Sequence, residues 1–213
     1  MILHGYWRSS ASYRVRLALG LKGISVEHRA VNLKDGEQHG AAHATRNVQA
    51  MVPVLELDDG THLTQSLSII EYLDEMFPQP ALLPADPVLR SRVRAASLII
   101  AADVMPIQNL RVLKFLRAEY GQDDAGVSAW ARHWIANGFA SLERTVAHRD
   151  GEFFVPDGPG MFECCLVPQV FNAVKFGLDM SAFPHLLAIH DAAQQISVFD
   201  QARPEQQHDA PSS

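Results

Sequence analysis

Hydrophobic period changes repeatedly over the first eighty residues. "MILHGYW" (1–7) is short and apolar, the pattern of a strand. Tyr13, Leu17, Ala18 and Leu21 then recur at helical spacing across residues 11–22, with Lys22-Gly23 as a C-cap. "ISVEHRAVNL" (24–33) alternates as a second strand, and "HGAAHATRN" (39–47) predicts a weak helix. "VPVLELDDGTHLTQ" (52–65) predicts two short strands joined at Asp59-Gly60, a strong hairpin dipeptide, so Asp58-Asp59 is a hairpin tip and not a catalytic pair. "SLSIIEYLDEMF" (66–77) places Ile69, Ile70, Leu73 and Met76 on one helix face. The order β-α-β-α-β-β-α predicts a small mixed sheet with helices on its faces.

The stretch "PQPALLPADP" (78–87), with prolines at 78, 80, 84 and 87, is a stiff connector and marks a domain boundary. Beyond it the period is helical. A long helix spans 87–118, bent at Pro106. Another covers 126–148, with Trp130, Trp134, Phe139 and Leu142 as core positions, and two more cover 161–177 and 184–199. "ARPEQQHDAPSS" is polar and proline-containing, and predicts disorder. The expected division is an α/β domain over 1–80, a linker over 81–87, an all-helical domain over 88–202 and a disordered tail over 203–213.

Charge and cysteine content narrow the function. The 213 residues carry 18 Lys and Arg against 24 Asp and Glu, a formal charge of −6 with no clustered basic surface, which argues against a nucleic-acid partner. Cys164 and Cys165 are adjacent and have no third cysteine to pair with, so no disulfide framework is available and a reducing, cytoplasmic setting is expected. The N-terminus lacks a signal-peptide pattern, and no unbroken apolar stretch approaches the roughly 20 residues of a membrane span, so no membrane partner is expected. Ten histidines raise the question of a metal. His39 and His43 in "EQHGAAH" have no carboxylate pattern near them and read as a solvated helix face.

Three segments carry candidate chemistry. Ser9, Ser10 and Ser12 lie between the first strand and the first helix, where they suit either an N-cap, for which one serine suffices, or an anion site built from hydroxyls, amides and helix dipole. Val52-Pro53 opens a strand, or a cis turn, with Val52 free to offer its own amide and carbonyl to a peptide ligand. Gln65 and Ser66 precede a helix and could likewise hold an anionic group or merely cap it.

These segments together resemble the zeta-class glutathione transferases. The matching stretches are "RSSASYRVRLALGLKGI", "VNLKDGEQ", "MVPVLELDDG", "TQSLSIIEYLDE", "PALLPADP", "PIQNLRVLKF" and "LVPQVFNAVKFGLDMSAFP", in the family's order from residue 1 to about 200. The resemblance implies a thioredoxin-like N-terminal domain and an all-α C-terminal domain, with glutathione as cofactor. It assigns Gln65 and Ser66 to the γ-glutamyl carboxylate, Val52 before a cis Pro53 to the cysteinyl backbone, and Gln49 and Gln108 to further contacts with the tripeptide. Ser9 and Ser10 would face the sulfur, where hydroxyl donors and a helix N-terminus lower a thiol pKa that is ordinarily near 8.5.

The implied activity is glutathione-dependent cis-trans isomerisation of maleylacetoacetate to fumarylacetoacetate in tyrosine and phenylalanine breakdown, by thiolate addition, bond rotation and elimination. Alternatives are maleylpyruvate isomerisation in gentisate breakdown, transfer of glutathione to α-halo acids, and a non-catalytic interaction module. The dicarboxylate substrate calls for cations. Arg8 is the first candidate, followed by Lys175, where the family often carries arginine, and by Arg111, whose helix position suits a solvated face better. Arg14 and Arg16 read as structural or solvent-facing. The family also implies a homodimer. Two departures stand out: Ala11 replaces the cysteine of the usual Ser-Ser-Cys, and Gly160 replaces the hydroxyl of the usual capping box. With Glu163 still able to bond back to the turn, only a small stability effect is expected from the second.

Overall fold

The computed structural model describes residues 1–211. β1 (Ile2–Gly5) pairs in parallel with β2 (Glu27–Ala30) and antiparallel with β3 (Val54–Glu56), which pairs antiparallel with β4 (His62–Thr64). The sheet order is β2-β1-β3-β4. Its one parallel pair requires a crossover, and α1 (Ser10–Leu21) supplies it. Residues Ala11 to Leu19 of α1 are all buried, and the helix packs against α3 (Ser66–Met76) through Ile69, Ile70 and Leu73. Met76 departs from the expected face: α3 ends there, Leu73 is its last buried residue, and Met76 is 57% exposed. The Asp59-Gly60 hairpin forms as the sequence predicts, with Gly60 at φ +83. A single turn, α2 (Ala41–Ala44), follows β2. Lys22, just past α1, buries its side chain and donates to Asp74 at 2.5 Å, to the Phe77 carbonyl at 2.6 Å and to the Pro80 carbonyl at 2.5 Å.

The first compact unit comprises Met1–Leu82 together with the segment from Ile196 onward. Two expectations therefore fail. The helical domain does not reach residue 202, and the tail is ordered through the described residues. α10 (Ser197–Gln201) and a 3-10 turn (Pro204–Gln206) fold onto the first unit. Ala202 and Pro204 are buried, and Asp209 accepts a hydrogen bond from the Trp7 N–H at 2.9 Å. Local polarity predicts disorder, but these partners lie about two hundred positions away in sequence. Residues 212–213 of the expected tail lie outside the described residues.

The second unit, Leu83–Gln195, is helical. α4 (Pro87–Leu98), capped by Asp86, runs into a π-helical segment (Ile99–Val104) and then α5 (Met105–Ile107). The expected bend at Pro106 is a break just after it, where Asn109 caps α6 (Leu110–Tyr120). Across Pro87–Tyr120 an 18-residue window has mean hydropathy 1.3, so by length and composition alone this run is long and apolar enough to cross a membrane. Val93, Ala96, Ile100 and Val104 of the run are buried, and Asp103 is exposed.

α7 (Asp124–Val146) buries Val127, Ala131, Ile135, Phe139, Leu142 and Val146, a stripe at spacings of three and four. Trp130 and Trp134 flank this stripe half-buried; the indole N–H of Trp130 donates to the Ile107 carbonyl at 2.8 Å. Gly138 admits no side chain, since a Cβ there would meet Val104 at 2.1 Å. α8 (Met161–Lys175) holds both cysteines, and α9 (Pro184–Gln194) ends earlier than the expected 199, with α10 separate. Gly160 offers no side chain to the α8 cap. Glu163 instead binds two amides, Gly160 at 2.8 Å and Phe154 at 2.9 Å, so it closes the whole preceding loop and matters more than the sequence implied.

Candidate functional site

The sheet register decides where the three candidate segments meet. His4 lies opposite Val54, and Val54 opposite Thr64. Beyond that row, β1 continues into Trp7–Ser10, β3 is entered from Val52-Pro53, and β4 continues into Gln65-Ser66. The three segments therefore emerge from one end of the sheet. The hydrogen bond from Arg14 Nη1 to Ser66 Oγ, 3.3 Å, ties the starts of α1 and α3 together at the same place.

Ser9 is the N-cap of α1, and its hydroxyl accepts the Ser12 N–H at 3.2 Å. That bond fixes the oxygen and leaves the hydroxyl proton free to donate. Ser10, the first helical residue, is half-buried, and its hydroxyl has no partner among the described residues. Ser12 is fully buried, its oxygen accepting the Tyr6 N–H at 3.4 Å, so it belongs to the frame. Arg8 is exposed in the turn before Ser9.

The Val52-Pro53 bond is cis. Neither the N–H nor the C=O of Val52 has a hydrogen-bond partner among the described residues, so both remain available to a peptide. The loop before it is clamped by two side chains on one oxygen: His43 Nε2 and Asn47 Nδ2 each lie 2.9 Å from the Met51 carbonyl. The sequence places His43 on a solvated helix face. In the fold it is only 3% exposed, and because a carbonyl only accepts, its Nε2 carries the proton. His39 is exposed, as that reading had it.

Gln65 turns the chain from β4 into α3 at φ +66, a conformation costing a non-glycine residue on the order of 1–3 kcal/mol. Its Nε2 donates to Gln49 Oε1 at 2.8 Å, which brings these two predicted residues together. No side chain caps α3, so its first amides are not taken up by a side-chain cap. They lie at the buried Ser66, whose hydroxyl is bonded to the buried Arg14 guanidinium, a setting that favours a carboxylate. Sequence reading treated Arg14 as structural or solvent-facing; it is buried, and its bond to Ser66 is the connection that reading missed.

Three predicted residues belong to the helical unit. Gln108 is 5% exposed, and neither its oxygen nor its nitrogen has a hydrogen-bond partner among the described residues. Arg111, in the first turn of α6, is exposed. Lys175 ends α8, also exposed, with its ammonium 5.9 Å from the Phe176 ring centroid. Cys164 and Cys165 are fully buried, and burial pushes the Cys164 thiol well above its ordinary pKa, with Cys165 and Glu163 adding to the effect. Neither thiol offers a nucleophile, and Ala11 supplies none at the site.

A helix-capped hydroxyl turn, an open backbone before a cis proline and an uncapped helix after Gln65 define a glutathione-transferase N-terminal unit. Residues 3–81 match the family model described as glutathione S-transferase, N-terminal domain. The chain is 48% identical over 212 residues to a probable maleylacetoacetate isomerase of Vibrio cholerae, covering 99% of this chain and 98% of that one. Its fold matches the holo structure of a maleylpyruvate isomerase, a bacterial glutathione transferase of the zeta class, with a TM-score of 0.96 and 40% identity over 99% of this chain and all of the other. It also matches a maleylacetoacetate isomerase of Anaeromyxobacter dehalogenans, with bound dicarboxyethyl glutathione and citrate in the active site, with a TM-score of 0.88 and 44% identity over 99% of this chain and 97% of that one. The chain belongs to the zeta-class glutathione transferases, the family of the maleylacetoacetate and maleylpyruvate isomerases.

Proposed function

We propose that this protein is a glutathione-dependent cis-trans isomerase that converts maleylacetoacetate to fumarylacetoacetate. The observation that carries the reading is the row His4, Val54, Thr64, which gathers three donor segments at one sheet end in a chain whose relatives are named for this reaction. The residues present fit glutathione: Val52 offers an unused amide and carbonyl, and the uncapped α3 offers amides, the Ser66 hydroxyl and a buried cation. When bound, glutathione supplies a thiol nucleophile that adds reversibly across the activated double bond, so that rotation can occur before it leaves.

The chain's own residues set the conditions for this chemistry. Gln65 and Ser66 hold the γ-glutamyl carboxylate, and Val52 pairs with the cysteinyl backbone in a frame fixed by cis Pro53, with Gln49 bracing Gln65. Ser9, locked by the Ser12 amide, donates its proton toward the sulfur, while the α1 dipole and Ser10 favour the ionised form. Arg8 meets a substrate carboxylate, a role its bidentate fork suits. Fixed donors of this kind also stabilise charge that develops on the substrate carbonyl oxygen.

Maleylpyruvate is the second reading, because a maleylpyruvate isomerase is among the solved relatives that share this fold. A homodimer, a cytoplasmic location and a place in aromatic amino-acid breakdown complete the proposal. A side-by-side assay of both diacids with and without glutathione tests it. Glutathione-dependent turnover faster for maleylacetoacetate is expected. Faster maleylpyruvate turnover assigns the second substrate, and no turnover of either refutes isomerisation.

A further inference from the structure

We infer that Asp209, in the C-terminal segment, is a positioning residue for the turn that carries Arg8, Ser9 and Ser10; this rests on the reading of that turn as the thiol-activating element. From α10 onward the chain lies along α1, with its last contact beyond the N-terminal end of that helix. Val198 fills the space beside Gly20, where a Cβ would stand 2.6 Å from Val198 Cγ1. The Tyr13 hydroxyl donates to the Phe199 carbonyl at 3.4 Å, and Arg16 Nε donates to the Ala202 carbonyl at 3.1 Å. The last contact is that of Asp209 Oδ2 with the Trp7 N–H, at 2.9 Å.

Trp7 is the residue before Arg8, and both of its backbone groups are anchored to this segment. Its N–H is held by Asp209 directly. Its carbonyl accepts Arg16 Nη2 at 3.1 Å, and that same guanidinium is braced on Ala202. Downstream, the Ser9 N–H closes the turn on the Tyr6 carbonyl at 2.9 Å. No regular ladder fixes residues 6–9, because β1 has ended at Gly5 and α1 begins at Ser10. Ser9 is tied into α1 as well, its carbonyl accepting the Tyr13 N–H at 2.8 Å and its hydroxyl the Ser12 N–H. The Trp7 bonds therefore set how residues 6–8 lead into these hydroxyls, and small displacements of donors from a reacting atom are costly in rate. Asp209 acts through the Trp7 amide and not on the reacting atoms. Because Val198, Phe199 and Ala202 keep their own contacts, removing the carboxylate releases only the last anchor.

Full-length Asp209→Ala and Asp209→Asn proteins test the assignment, the second keeping an acceptor oxygen for Trp7 while removing the charge. In Asp209→Ala, amide exchange across Trp7–Ser12 accelerates about tenfold, and kcat for isomerisation falls about tenfold, the net size of one ordinary hydrogen bond. The ultraviolet absorbance of bound thiolate titrates at higher pH, while the dissociation constant for glutathione stays within about twofold, since Gln65, Ser66 and Val52 are untouched. Asp209→Asn stays within about twofold of the wild type in every readout. Wild-type exchange, kcat and thiolate titration in Asp209→Ala, or equal impairment in Asp209→Asn, overturns the assignment while leaving the thiol-activating reading intact. Absence of any thiolate signal in the wild-type protein with saturating glutathione overturns that reading and the assignment together.

Discussion

Ser9 and Ser10 are adjacent hydroxyls with different structural duties, and that difference makes their substitution informative. Ser9 caps α1 by accepting the Ser12 N–H at 3.2 Å, so Ser9→Ala removes a cap worth about 1 kcal/mol. In a protein of this size that is a fall of about 2–4 °C in melting temperature. Ser10 makes no such bond, so Ser10→Ala leaves stability within about 0.5 kcal/mol. The effect on the bound thiol is separate. A hydrogen bond to a charged group contributes about 1.5–3 kcal/mol, and one pKa unit corresponds to about 1.4 kcal/mol, so losing the hydroxyl that faces the sulfur raises the bound-thiol pKa by about one to two units. The structure favours Ser9, whose oxygen is fixed while its proton is free. Thermal melting and thiolate titration on both variants separate the two duties. Ser9→Ala is expected to move both readouts and Ser10→Ala to move the thiol less. A wild-type thiol titration in Ser9→Ala, with a shifted one in Ser10→Ala, would refute this reasoning and assign the donor to Ser10.

Three stability predictions follow from buried polar groups. Lys22→Met removes the ammonium from Asp74, which keeps the Leu82 N–H, and from two carbonyls, and should cost about 3 kcal/mol by urea unfolding; a loss below about 1 kcal/mol would show that the cluster carries no weight. Glu163→Ala removes two amide contacts and should cost about 3 kcal/mol, with Glu163→Gln about 2 because its amide can accept only one of them; equal stability in all three proteins contradicts the loop-closing role. His4 is 2% exposed, and burial holds its pKa below the usual 6.5 even though its Nε2 bonds Glu56 at 2.7 Å. The unfolded chain takes up this proton first as pH falls, so stability is retained above pH 6.5 and declines below it. His4→Gln should reduce that decline by at most about 1.4 kcal/mol per pH unit, and an unchanged slope in chemical denaturation below pH 6.5 removes His4 as its source.

Much of the sheet and its helices could be read from local signals. Apolar period located β1, α1 and α3, and Asp59-Gly60 located the hairpin, because each depends on neighbours within a few residues. The convergence of Ser9, Val52 and Ser66 was legible only through resemblance, since strand register is a long-range property that no single segment encodes. Once β3 pairs with β1 and β4 in the observed register, the meeting of the three is a geometric consequence. Helix faces were read less well where a polar tip redirects a large ring. Trp130 has the right spacing for the core, yet its indole N–H needs the Ile107 carbonyl, which holds the ring at the flank.

Two residues that local reading assigned to solvent or disorder share one physical property. His43 and Asp209 are both polar, and each is bonded to a backbone group of a segment other than its own. Polarity counts toward exposure in any composition argument, because an unpaired polar group is costly to bury. A polar side chain satisfied by a remote amide or carbonyl reverses that inference, and nothing nearby in sequence announces the partner. Such bonds fix irregular backbone, which has no ladder of its own, and irregular backbone is where the candidate site lies: the turn at Trp7 and the loop before Val52. His43 and Asp209 thus went unrecognised for the same reason that they bear on function. Each holds in place a stretch of chain that secondary structure leaves undetermined.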